Sequence, residues 1–83
     1  MAIGFTKGAA EVYTALPREV VDRYRAAVLA IEADPYGQGR PLTVTDPYDR
    51  VMDLGHGWIR YSVRPLVDPE VLITDLDYYS TPG

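Results

Sequence analysis

Trp58-Ile59-Arg60-Tyr61-Ser62-Val63-Arg64 alternates apolar and polar residues with a period of two. In an extended chain Ile59, Tyr61 and Val63 fall on one side, and most of the polar residues fall on the other. That is the pattern of a half-buried antiparallel strand. The flanking stretches, Tyr48 to Leu54 and Val71 to Asp77, also read as strands. His56-Gly57 is expected to make a tight turn between the first pair, and Pro65 to Glu70 a longer one between the second.

Chemistry sets an expected register. With His56-Gly57 as the turn, Leu54 pairs with Ile59, Met52 with Tyr61, and Asp53 with Arg60. A second hairpin centred near Val67-Asp68 sets Ile59 opposite Leu76, Val63 opposite Leu72, and Arg60 opposite Asp75. One face then carries Met52, Leu54, Ile59, Tyr61, Val63, Leu72 and Leu76. The other carries the row Asp53, Arg60, Asp75, with Trp58 near Asp77. Opposite charges facing each other across strands contribute about 0.2–1 kcal/mol per pair, and a slip of one residue would turn Asp53 into the core.

Upstream the period changes. Val20, Val21, Tyr24, Ala27, Val28 and Ile31 form one helical stripe between Pro17 and Ala33. Pro17 suits the first turn, where its missing N–H costs nothing. Asp34-Pro35 stops the helix, because a residue before proline is driven out of the α region. Gly8 to Leu16 carries Ala9, Val12, Tyr13 and Leu16 at helical spacing, with Thr6 as its cap, and Ala2 to Phe5 reads as a short edge strand. The glycines and prolines between Tyr36 and Tyr48 mark a loop. The expected class is α+β: a short N-terminal strand, a two-helix hairpin and a three-stranded antiparallel C-terminal sheet, in a single domain spanning 1–83.

Composition narrows the function. The 83 residues hold eight Lys+Arg against twelve Asp+Glu, a net charge of −4. Nucleic-acid binders usually carry a basic excess, since phosphate neutralisation supplies most of their affinity. The chain has no cysteine, which removes both disulfides and thiolate metal sites. No apolar run reaches the roughly 20 residues of a membrane span, and Met1 to Lys7 are too short on hydrophobicity to be expected to act as a signal peptide. A cytoplasmic protein without membrane association is expected.

Several segments resemble the RelE/ParE toxin superfamily. Phe5-Thr6-Lys7-Gly8-Ala9-Ala10 followed by Ala15-Leu16-Pro17 is similar to that family's opening strand, first helix and Leu-Pro junction. Ala30-Ile31-Glu32-Ala33-Asp34-Pro35-Tyr36 resembles the end of its second helix. Asp49-Arg50-Val51-Met52-Asp53-Leu54-Gly55 with Trp58-Ile59-Arg60-Tyr61-Ser62-Val63 resembles its central hairpin. The resemblance implies the toxin of a type II toxin–antitoxin pair, bound by a cognate antitoxin. It also implies an mRNA endoribonuclease acting at the ribosome without a metal or cofactor, or else a toxin directed at DNA gyrase. A non-catalytic interaction module on the same fold, including one that pairs as a homodimer, is the alternative.

Two departures from the family pattern bear on catalysis. The single lysine is Lys7, and where the family carries a C-terminal His/Arg-then-Tyr pattern this chain has Asp75-Leu76-Asp77-Tyr78-Tyr79. Arg50, Arg64 and Tyr78 are the catalytic candidates: two cations without an obvious carboxylate partner and a phenol. Tyr79 is a second candidate phenol, and Tyr78 and Tyr79 read equally as partner contacts. Arg60 is a phosphate ligand or, better satisfied, a bridge between Asp53 and Asp75. His56 is a general acid/base or a solvated turn residue. Asp53, Asp75 and Asp77 suggest a carboxylate dyad or cation site, but the interposed arginine favours a salt-bridged surface. Gly37-Gln38-Gly39-Arg40 lacks the Lys-Ser/Thr of a phosphate loop.

Overall fold

Two helices lie on one face of a five-stranded sheet in the computed structural model, which describes residues 3–78. The elements run β1 (Ile3–Phe5), α1 (Lys7–Thr14), α2 (Arg18–Ala33), β2 (Arg40–Pro41), β3 (Asp49–Asp53), β4 (Gly57–Val63) and β5 (Val71–Tyr78). The class is α+β, as expected. The strand order is β1-β5-β4-β3-β2. The expected three-stranded meander forms its centre. β1 adds in parallel to β5, and β2 adds antiparallel to β3 inside the stretch expected to be loop.

Both helices begin and end for local reasons. The Thr6 hydroxyl accepts from the Ala9 N–H at 3.3 Å, capping α1, and donates to the Thr74 carbonyl at 3.1 Å, tying that cap to β5. Pro17 sits at the cap position just before α2 rather than in its first turn, and its carbonyl accepts from the Val20 and Val21 N–H groups at 3.0 Å. Asp34 leaves helical geometry at φ −152°, ψ 79°, and its carboxylate accepts the Gly37 N–H at 3.0 Å, closing the first turn of the following loop.

The α2 stripe faces the sheet. Tyr24, Ala27, Val28 and Ile31 are buried, while Val20 and Val21 are only half-covered at the helix start. They meet Ile59, Tyr61, Val63, Val71, Ile73 and Leu76, with Ala9 from α1, in one core cluster. Fully buried aliphatic side chains such as Ile31, Ile59 and Ile73 contribute about 1.5–3 kcal/mol each by leaving water. Among the described residues no helix is long and apolar enough to cross a membrane.

The register departs from expectation in two places. Met52 pairs with Ile59 and Asp53 with Trp58, a two-residue displacement from the expected Leu54–Ile59 and Asp53–Arg60 pairs. The cause is the turn, which centres on Gly55-His56: the Leu54 N–H donates to the Gly57 carbonyl at 2.9 Å, and Gly55 takes φ 84°. A tight turn of the II′ type needs a positive φ at its first central residue, which glycine adopts without strain. A displacement by two preserves the faces, so the core side stays apolar. Between β4 and β5 the pairs Ile59–Leu76 and Arg60–Asp75 form as expected, but Tyr61 then pairs with Ile73. Thr74 is thus an extra residue, a bulge, and its hydroxyl donates to the Arg60 carbonyl at 3.3 Å. The bulge turns Val71 and Ile73 into the core and moves Leu72 opposite Ser62. Leu72 therefore does not hold the core position expected of it.

Gly57 is required by close approach. The Tyr24 hydroxyl donates to the Asp77 carbonyl at 2.6 Å directly above it, and a Cβ at position 57 would collide with that hydroxyl and with the backbone of Asp77 and Tyr78. Overpacking against backbone that cannot yield costs about 3 kcal/mol, so Gly57→Ala is expected to lower the urea midpoint strongly. Tyr24→Phe, which loses the hydrogen bond to the Asp77 carbonyl and keeps the ring, is expected to cost about 1 kcal/mol in the same measurement.

Candidate functional site

Arg50 and Tyr61 are register partners on β3 and β4, and both point to the helix side of the sheet. Arg50 is buried, at 7% exposure. Its Nη1 donates to the Pro47 carbonyl at 3.1 Å and its Nη2 to the Tyr36 carbonyl at 3.0 Å, with longer contacts to the carbonyls of Gly39 and Gln38. The guanidinium also lies 5.9 Å from the centre of the Tyr36 ring, which meets Tyr48 edge-on at 6.4 Å. Tyr61, fully buried, directs its hydroxyl to the Pro35 carbonyl at 2.6 Å and the Gln38 carbonyl at 2.5 Å. The Nη donors of Arg50 are thus committed to loop carbonyls, while its buried Nε has no hydrogen-bond partner among the described residues. Burial pushes the Tyr61 phenol above its ordinary value of 10.0, and the Arg50 cation offsets part of that rise.

The other candidates lie elsewhere. Arg64 follows the end of β4, where its Nη2 donates to the Pro69 carbonyl at 2.8 Å and braces the loop between β4 and β5. Leu66 in that loop is fully exposed and takes a left-handed φ of 67°. Tyr78 pairs with Gly57 at the opposite end of β4, roughly 20 Å along the strand from Arg64 at about 3.3 Å per residue. Arg50, Arg64 and Tyr78 are therefore not brought together. His56 is exposed in the turn, and Tyr79 lies outside the described residues. Among the described residues no group of three or more His, Cys, Asp or Glu side chains could hold a metal ion.

The sheet face away from the helices is where polar side chains gather. Arg40 on β2, Asp49, Val51 and Asp53 on β3, Trp58 and Arg60 on β4, and Asp75 and Asp77 on β5 share it. Arg40, Leu42, Val51, Trp58 and Arg60 line a shallow groove. Arg60 does not bridge Asp53 and Asp75, the expected arrangement. The shifted register puts Asp53 beside Trp58 and leaves Asp49 as its diagonal neighbour, and Arg60 Nη2 meets Asp49 Oδ2 at 2.8 Å with Nε to Oδ1 at 3.3 Å. That hydrogen bond, the attraction of Asp49 and a weaker one from Asp75 raise the Arg60 pKa further. Arg40 and Asp49 were not singled out in the sequence. Arg40 stands in the sequence only at the end of Gly37-Gln38-Gly39-Arg40, inside an expected loop, and the pairing of Asp49 depends on a register set by one glycine.

No protein-family model matches the sequence, and no curated protein matches it. The fold has clear neighbours among solved structures. The isolated RelE toxin of Escherichia coli aligns with 99% of this chain and 87% of its own, at a TM-score of 0.75 and 13% identity. The RelBE2 toxin–antitoxin complex of Mycobacterium tuberculosis aligns over 96% of this chain and 92% of its own, at 0.68 and 21%. The fold is RelE-like.

Arg50→Met removes the donors from a cluster of loop carbonyls, and stability is expected to fall by about 1–3 kcal/mol in urea unfolding. Arg50→Lys is expected to recover little, because a point charge cannot reproduce the planar fork. The Tyr61 phenol binds its proton more tightly folded than unfolded. Its contribution is therefore complete below the ordinary phenol value and declines as pH rises through the folded one. Tyr61→Phe is expected to flatten that alkaline decline, measured as urea midpoint against pH.

Proposed function

We propose that this chain is the toxin of a toxin–antitoxin pair, held by a cognate antitoxin, and that it acts by binding a protein target rather than by cutting RNA. The observation that carries the first part is the shared fold, which matches an isolated RelE toxin over nearly the whole of this chain. The antitoxin partner rests on the second neighbour, a toxin–antitoxin complex. The ribosome or DNA gyrase remains a target suggested by the resemblance in the sequence.

The second part rests on charge. Phosphate chemistry needs fixed positive groups aimed at the charge that develops on the reacting phosphoryl. The sheet face away from the helices sets Arg40 and Arg60 among Asp49, Asp53, Asp75 and Asp77, and Arg60 is already paired. Arg50 and Arg64 each spend donors on backbone carbonyls. An endoribonuclease is the second reading, favoured by one feature: the groove that places Arg40 and Arg60 beside Trp58, a cation-and-aromatic surface of the kind that takes single-stranded RNA.

Induced expression in a bacterial host tests both parts. Growth arrest is expected, relieved by co-expression of the adjacent open reading frame, with no new 5′ ends in primer extension of abundant mRNAs. Unimpaired growth would overturn the toxin reading. New mRNA ends that disappear in Arg60→Ala would overturn the binding mode in favour of the endoribonuclease.

A further inference from the structure

We propose that the sheet face away from the helices docks an extended basic segment of the antitoxin, seating one Lys or Arg side chain on Trp58 between Asp53 and Asp77. This deepens the partner reading above by giving the partner's contact segment a chemistry. The register sets the geometry: Asp53 on β3 and Asp77 on β5 are the two residues directly opposite Trp58 on its neighbouring strands. Neighbouring strands lie about 4.8 Å apart, so the register sets one aspartate on either side of Trp58, and Arg40 and Arg60 line the groove on its third side. An aromatic face attracts a cation through its quadrupole, and flanking carboxylates add direct charge.

The carboxylates are free to take such a partner. The ion pairs among the described residues are Arg25–Asp22 and Arg60–Asp49. Asp53, Asp75 and Asp77 each accept a nearby backbone N–H through Oδ1 only, and all three are exposed. Once Asp49 has neutralised Arg60, the face sets these three carboxylates against Arg40. Charge complementarity then calls for a basic occupant and disfavours a phosphate backbone. Spacing calls for an extended one. Asp75 and Asp77 are two residues apart on one strand, about 7 Å, which matches side chains at alternate positions of an extended peptide. The expected recognition element is a basic residue, any residue, then a second basic residue, with an apolar side chain reaching the groove floored by Val51.

Trp58 is the single tryptophan of the chain, so its fluorescence reports on this site alone. The full chain is titrated with a synthetic peptide repeating Lys-Ser-Lys-Leu, with its Glu-Ser-Glu-Leu counterpart, and with an oligouridylate. The basic peptide is expected to shift Trp58 emission, with binding that weakens as salt rises. Asp53→Asn/Asp77→Asn, checked for native circular dichroism, is expected to weaken it about tenfold, the sum of two exposed charge pairs. Glu11→Gln/Glu19→Gln makes the same change in net charge on the exposed helices and is expected to leave binding unaltered. The proposal is overturned if the basic peptide does not bind, if the acidic peptide or the oligouridylate binds more tightly, or if the two double variants weaken binding equally. Failure of the growth-arrest experiment with intact peptide binding would remove the toxin reading and leave the docking face standing.

Discussion

A buried guanidinium with no carboxylate partner among the described residues organises one end of this molecule. Arg50 stands opposite Tyr61 across two central strands, and its two Nη groups and the Tyr61 hydroxyl share one target, the backbone carbonyls of the segment after α2. An isolated charge taken out of water costs several kcal/mol unless strong dipoles replace the lost hydration. Here the loop supplies them, with the face of the Tyr36 ring as a further electron-rich neighbour. The dependence runs both ways. The cation needs the carbonyls, and a loop rich in glycine and proline gains a fixed shape from the cation.

That fixed shape has consequences on the far side of the sheet. Holding residues 35–39 and Pro47 against Arg50 leaves Arg40 and Pro41 alongside β3, where they pair with Val51 and Arg50. The short strand β2 exists because its flanks are pinned, since two residues have little capacity to pair by themselves. Once β2 is in place, Arg40 and Leu42 form one wall of the groove that Trp58 and Arg60 close from the other side. The polar surface is thus built from two layers of cause: alternation in β4 selects which residues face outward, and a buried clasp on the opposite face brings the last wall to them.

The parts legible in the sequence were those carried by side-chain pattern. Alternation through Ile59, Tyr61 and Val63 placed the core face correctly, and the stripe through Tyr24, Ala27, Val28 and Ile31 placed α2 upon it. The face assignment survived a turn misplaced by one residue because a two-residue displacement conserves parity. What escaped was carried by backbone. The bulge at Thr74 has no glycine to announce it, yet it exchanges Leu72 for Val71 and Ile73 in the core. Arg50 seemed to lack a partner because its partners are carbonyls, which every residue possesses and no sequence motif displays. Arg60 was rightly read as paired, but its carboxylate is Asp49, a choice that depends on where Gly55 bends the chain.

The relation between fold and surface explains how a chain can share nearly all of its backbone path with a toxin at only 13% identity. The core face is constrained by volume and by hydrogen bonds such as Tyr24 to the Asp77 carbonyl, so the path of the chain follows from it. The outer face answers to no such constraint. Cross-strand neighbours there need only avoid severe repulsion, and Trp58 spaces Asp53 from Asp77 while Arg60 sits beside Asp75. A sheet of this kind is a scaffold whose exposed rows can be rewritten without disturbing its interior. The outer row, with Asp53, Asp75 and Asp77 around Trp58 and Arg60, is thus where chains of this fold are free to differ in what they bind, and its excess of carboxylates is the ground for the basic partner proposed above.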